Sequence, residues 1–347
     1  MTMKKNNVFL ILLLAVMLAA CSQSDKPVVP PTPPSGTTIN YHLATADEGR
    51  TLMQGNTEHY AKMNQLDIDW RLQKTGGTLS ELQAMAWQQT RDFTESEKQF
   101  FDTAIGIIED SLRQIGCSLP IPPEIVFIKT TMKEECDPTA YTIKNQIFFG
   151  EKYIAKKMPQ VGKTAEENRA ALMDFTETVA HELFHTTTRN SPVFRQQMYD
   201  LIGFTVMSED LVFPEVIANR ILINPDVEHM DNYADFTIGG KKTRCEIVAF
   251  YTKTWAEAHA ERGGDVSFFD FMDAFLVPID DMSRTYTTKE VSDFWDVVGR
   301  NTDYVIAPEE CLADNFALAV VRGMHPVKPY KTPELIGNII ELLKKYK

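Results

Sequence analysis

His181-Glu182-Leu183-Phe184-His185 sits inside a stretch running from Thr164 to Asn190, and the reading of that stretch decides the fold. Thr164 followed by Glu167 is a capping box, Leu172, Phe175, Val179 and Leu183 recur every three or four residues, and Asn190-Ser191-Pro192 stops the pattern. One long amphipathic helix is therefore predicted. Residues four apart on a helix lie one above the other on the same face, so the two imidazoles can converge on a single ion with Glu182 beside it.

That spacing has a chemical reason. Neutral imidazoles bind a zinc ion, which keeps an open position for water and lowers its pKa toward neutrality, while the glutamate accepts the proton and passes it to the leaving amine. One Zn2+ is expected, with Glu182 as general base.

Working outward from this helix, residues 46 to 115 carry a helical pattern. It is clearest after the capping box Thr94/Glu97, where Phe100, Phe101, Ala104, Ile105, Ile108 and Leu112 follow at helical spacing. Short β-rich runs come next, 123 to 128, 141 to 143 and 146 to 149, bounded by Pro, Asp and Gly, and predict a small sheet. Gln146 to Gly150 reads as a buried core strand, with a sheet edge open to an extended peptide as the other reading. Beyond Pro192, helices are predicted at 193 to 204, 212 to 223, 267 to 276, 287 to 299, 309 to 321 and 333 to 346, with loop or strand at 225 to 252. Helices, then a small mixed sheet, then a mainly helical C-terminal half make an α+β chain.

A third protein ligand must come from elsewhere. The metzincin continuation would place a glycine at position 188 and a histidine at position 191, but the chain has Thr188 and Ser191. In gluzincin-type zinc peptidases the third ligand is a glutamate on another helix, commonly followed one turn later by an acidic residue, and two segments resemble that arrangement: Glu215 with Asn219, and Glu310 with Asp314 in Pro308-Glu309-Glu310-Cys311-Leu312-Ala313-Asp314. Glu310 is favoured, because the Asp314 carboxylate can accept a ring N–H and fix a histidine tautomer better than an amide can. Pro308 and the acids at 309 and 310 suit a first helical turn. Glu215 stays as the alternative ligand. Cys311, one position on, points roughly 100° away from Glu310 on a helix and is rejected as a ligand.

The motif His181 to His185, followed by Asn301-Thr302-Asp303-Tyr304-Val305-Ile306 and Pro308 to Ala317, resembles a group of uncharacterised bacterial metallopeptidases of the gluzincin type, over much of residues 95 to 322. The resemblance implies a zincin-like fold, Glu310 as third ligand and Glu182 as catalytic base. A donor is also needed where negative charge develops on the attacked carbonyl. Tyr304 is the candidate, with Tyr251 and His229 behind it, while Pro225 to His229 otherwise reads as a solvated acidic loop.

The first twenty residues stand apart. Lys4 and Lys5 precede an apolar run from Val8 to Ala20, too short for a permanent span, and the run ends in Leu18-Ala19-Ala20-Cys21. This resembles the lipobox of bacterial lipoproteins and implies a signal peptide over 1–20, a lipid on Cys21, and a domain held at the cell envelope outside the cytoplasm. Residues 21–39, with prolines at 27, 30, 31, 33 and 34, read as a tether, leaving 40–347 as the metallopeptidase domain. Cys117, Cys136, Cys245 and Cys311 then lie where disulfides are permitted, and their pairing is open.

Composition narrows the partners. Of 347 residues, 44% are hydrophobic and 24% charged, enough for one sizeable core, and the net charge of −13 becomes −15 once Lys4 and Lys5 are removed. Nucleic acid, bound through clustered cations, is excluded as a partner. The expected protein is a membrane-anchored monomer acting on a peptide or protein substrate. A zinc amidase acting on a non-protein amide such as a cell-wall crosslink, and a non-catalytic binding lipoprotein, are the other readings.

Overall fold

The computed structural model describes residues 37–347. The export segment, Cys21 and most of the tether lie outside the described residues. Among the described residues before position 40, Thr37 N–H and Oγ1 both donate to Cys117 O, at 3.1 Å, and Thr37 Oγ1 accepts from Leu119 N–H at 2.7 Å. None of the described helices is long and apolar enough to cross a membrane.

The chain is α+β, with two five-stranded sheets rather than one. In the first, β1 (Tyr41–Leu43), β2 (Thr90–Arg91), β3 (Ile125–Thr130), β4 (Ala140–Ile143) and β5 (Gln146–Gly150) form a mixed sheet in the order β1-β3-β5-β4, with β2 also paired to β3. β3 runs parallel to β1 and β5, while β4 is antiparallel to β5. β5 therefore lies between two neighbours, fully buried, and is not an edge; β1 and β4 end the order, and β4 is itself buried.

The C-terminal half is less helical than its sequence predicts. β6 (Thr205–Val206), β7 (Asn232–Ile238), β8 (Lys241–Tyr251), β9 (Met272–Pro278) and β10 (Tyr286–Thr287) make an antiparallel sheet in the order β10-β9-β8-β7-β6. Gly239 and Gly240, at φ 58° and 79°, supply the left-handed turn of the β7–β8 hairpin. The predicted helix 267 to 276 is one 3-10 turn followed by β9, because Ala274, Leu276 and Val277 pack into the sheet. Its apolar run fits either period, and pairing with β8 decided. Residues 212 to 223 form only one helical turn, Glu215–Ala218, and 287 to 299 only a 3-10 turn with the short helix Phe294–Val298.

The helix predicted from Thr164 spans Ala165–Asn190 with its capping box formed. We call it the histidine helix. Phe175 on it is fully buried, with ring centroids 4.6 Å from Phe100 and 5.0 Å from Phe101 of the helix Glu95–Ile115, a side-chain burial that contributes roughly 2 kcal/mol. On its other flank packs the helix Pro308–Val321, here the acidic helix, with Pro308 in its first turn and Glu309 and Glu310 fully or nearly buried. All four cysteines in the described residues are free and buried.

Candidate metal centre

His181 and His185, one turn apart, stand with ring centroids 4.9 Å apart and planes at 77°. The acidic helix brings Glu310 between them. Glu310 Oε2 lies 3.1 Å from His181 Nε2 and 3.6 Å from His185 Nε2, and the three groups form a cluster able to hold a metal ion.

The opposite ring nitrogens are held by carboxylates. His181 Nδ1 is 2.8 Å from Asp314 Oδ1, one turn after Glu310, and Thr302 Oγ1 donates to Asp314 Oδ2 at 2.5 Å. His185 Nδ1 is 3.2 Å from Glu309 Oε1, which also accepts from Thr188 Oγ1 at 2.6 Å, while Glu309 Oε2 accepts from Tyr199 at 2.7 Å. Each imidazole is thus turned so that Nε2 faces Glu310, the arrangement that fixes tautomer and ring direction in metal sites. Glu309 was missed in the sequence because it was read only as favourable first-turn charge. Its place 100° round the helix from Glu310 lets consecutive acids serve different faces of the same centre.

Glu182 is 3% exposed and accepts from Thr142 Oγ1 on β4 at 2.7 Å. Asp226, buried in the segment first read as a solvated loop, accepts from Thr142 N–H at 2.6 Å and lies 4.0 Å from His185 Nε2. Asn224 donates through Nδ2 to Glu310 Oε1 and accepts at Oδ1 from Asp226 N–H at 3.0 Å. A hydrogen-bonded chain therefore runs from Glu182 through Thr142, Asp226 and Asn224 to Glu310. Neither Asn224 nor Asp226 belongs to a periodic pattern, and no sequence signal marks them beyond Asn224-Pro225-Asp226 itself.

The electrostatics are those of a cation site. Burial opposes charge on His181, but hydrogen bonds to Asp314 and Glu310 outweigh it and hold its pKa well above the ordinary value. Burial likewise opposes charge on His185, where Asp226, Glu309 and Glu310 raise the pKa to about 9. Burial pushes Glu310 upward, yet the two imidazoles keep its carboxyl well below the usual range. Glu182 is raised by burial despite the nearby histidines. His185 Nε2 is buried and has no hydrogen-bond partner among the described residues, although a buried polar atom costs roughly 1–3 kcal/mol when left so. An orphaned imidazole nitrogen aimed at a carboxylate oxygen is what a divalent cation would satisfy, so the residues fit a metal ion.

The centre opens into a cleft of about 780 Å³ bordered by His181, Glu182 and Glu310 on one side and by Phe268, Phe269, Met272 and Ile306 on another. Tyr304 lines the same cleft, and burial with the charges of Glu310, Asp226 and Asp314 pushes its hydroxyl pKa well up. The other candidates fall elsewhere. Glu215 is exposed on its single turn and joins no metal-ligating cluster among the described residues. Tyr251 is buried and donates to Asp67 at 2.8 Å, and His229 is exposed beside Asp210. Cys311 Sγ turns to Val298 O at 3.3 Å, away from the imidazoles.

Fold and site together define an α+β chain with a buried two-histidine, one-glutamate centre at the base of a cleft. No family model, no curated protein and no solved structure matches it.

Proposed function

We propose that the protein is a zinc-dependent metallohydrolase with a zincin-like fold of gluzincin type, cleaving peptide bonds. The observation that carries this reading is the convergence of His181 Nε2, His185 Nε2 and Glu310 Oε2, each imidazole backed by its own carboxylate, beside the buried Glu182 in an open cleft. Two imidazoles and one carboxylate, with room for a water, are the donor set of catalytic rather than closed zinc sites.

Zinc bound there would supply Lewis acidity and make water a usable nucleophile near neutral pH. Glu182 takes the proton from the attacking water and returns it to the leaving nitrogen, its raised pKa bringing it closer to the range where one group can do both. Thr142 Oγ1 holds one carboxylate oxygen, leaving the other for the water. Tyr304, which lines the same cleft and whose hydroxyl makes no hydrogen bond to another described residue, would donate to the carbonyl oxygen as charge develops. Lipidation at Cys21 and a cell-envelope location belong to the same reading, supported by the lipobox-like N-terminus.

The experiment is zinc content by mass spectrometry alongside cleavage of a broad peptide library, with and without chelator. One zinc per chain and chelator-sensitive cleavage are expected. One zinc with no cleavage of any peptide would favour the amidase or binding readings instead.

A further inference from the structure

We infer that Arg71 and Asp67, on the helix Gln65–Leu72 in the N-terminal part of the chain, are positioning residues of the metal centre. They grip both backbone polar groups of Ile223 and so set Asn224, which holds Glu310. The inference rests on the metal-centre reading above and deepens it.

Arg71 is 2% exposed and Asp67 not at all. Arg71 donates through Nη2 to Ile223 O at 2.9 Å, through Nε to Glu135 Oε2 at 2.9 Å, and through Nη1 to Asp67 Oδ1 at 3.1 Å. Asp67 Oδ1 in turn accepts from Ile223 N–H at 3.0 Å. One residue later, Asn224 reaches Glu310 Oε1. On the far side of Asn224, Arg189 from the last turn of the histidine helix donates to Pro225 O at 2.9 Å and Asp226 O at 3.1 Å. The segment that presents Asn224 and Asp226 is therefore clamped by a guanidinium before it and another after it.

Stability alone does not explain this arrangement. Taking Asp67, Arg71 and Glu135 out of water costs several kcal/mol per ion, and apolar side chains of similar size often serve a core as well or better. What apolar side chains cannot do is hold an N–H and a C=O of one chosen residue in a fixed direction. The planar fork of arginine does this, and lysine, a point charge with rotatable donors, does it poorly. Partners that orient a metal ligand typically change metal affinity by about 10–100-fold when lost.

The test is zinc affinity, measured by competition with a chromophoric chelator, for the protein and for Arg71→Lys, Asn224→Ala, the double variant and Ile68→Val. Ile68 is buried on the same helix but belongs to a separate apolar cluster with Leu82 and Phe148. Arg71→Lys and Asn224→Ala should each weaken zinc by about tenfold or more, and the double variant should be no weaker than Asn224→Ala alone, since both act through one contact. Ile68→Val should lower the Tm and leave zinc affinity unchanged. An unchanged affinity in folded Arg71→Lys overturns the inference, as does an equal loss in Ile68→Val. A wild-type protein that binds no zinc fails the metal-centre reading itself. Should Arg71→Lys not fold, hydrogen exchange on the wild type decides: zinc should slow exchange at Ile223 and over residues 65–72, and identical rates there overturn the inference.

Discussion

Thr142 and Glu182 are joined by a 2.7 Å hydrogen bond from the hydroxyl of a sheet-edge residue to the carboxylate between the two histidines. The bond both aims the carboxylate and favours its ionised form.

Thr142→Val should therefore lower kcat by about tenfold with zinc content unchanged. Without the donor the Glu182 carboxyl rises further in pKa, so the acidic limb of the pH–rate profile should move to higher pH. Thr142→Ser should restore both; a valine variant with the wild-type profile would remove Thr142 from the mechanism.

Glu182→Gln keeps the size of the side chain and removes its basicity. Zinc should stay at one per chain while hydrolysis drops by about 10²–10⁴. Equal activity in this variant would refute the proposed chemistry.

The two candidate third ligands of the sequence are separable by metal content. Glu310→Gln should lose stoichiometric zinc, whereas Glu215→Gln, on an exposed turn, should keep zinc and activity within error. Retained zinc in Glu310→Gln would reassign the third ligand.

Glu309→Gln tests the carboxylate behind His185. One acceptor oxygen survives but the charge is gone, so zinc affinity should fall by about 10–100-fold. An affinity within twofold of wild type would reduce Glu309 to a packing role.

The raised pKa of His185 makes the metal-free protein pH-sensitive. The contribution is fully present below the unfolded histidine value of about 6.5 and is lost as pH rises through about 9, a term on the order of 3 kcal/mol. The Tm of the metal-free protein should fall between pH 6.5 and 9, while zinc affinity rises over the same window because binding displaces those protons. Calorimetry on the chelated protein giving a flat Tm across that window would contradict the assignment.

Local signals in the sequence carried the helices and little of the second sheet. The capping boxes at Thr94 and Thr164 fixed two long helices because each is a contact within one turn. Strand β9 was misread as helix because Ala274, Leu276 and Val277 satisfy either period until β8 pairs with them. Similarly His181, Glu182 and His185 announce themselves by spacing, and Asp314 by standing one turn beyond Glu310. Thr142, Asn224 and Asp226 do not, since their roles depend on which loop and which edge strand the fold carries to the helix.

His181 and Glu310 are separated by 129 positions in the chain. A cluster assembled from such distant segments has no counterpart in a growing or half-collapsed polypeptide, where loop closure over that length has yet to occur. An ion held by this cluster would consequently be a late arrival, admitted only after both helices have docked. If the chain crosses a membrane unfolded, it would cross without that ion, and the ion supply of the destination compartment, not that of the site of synthesis, would govern which metal fills the cluster.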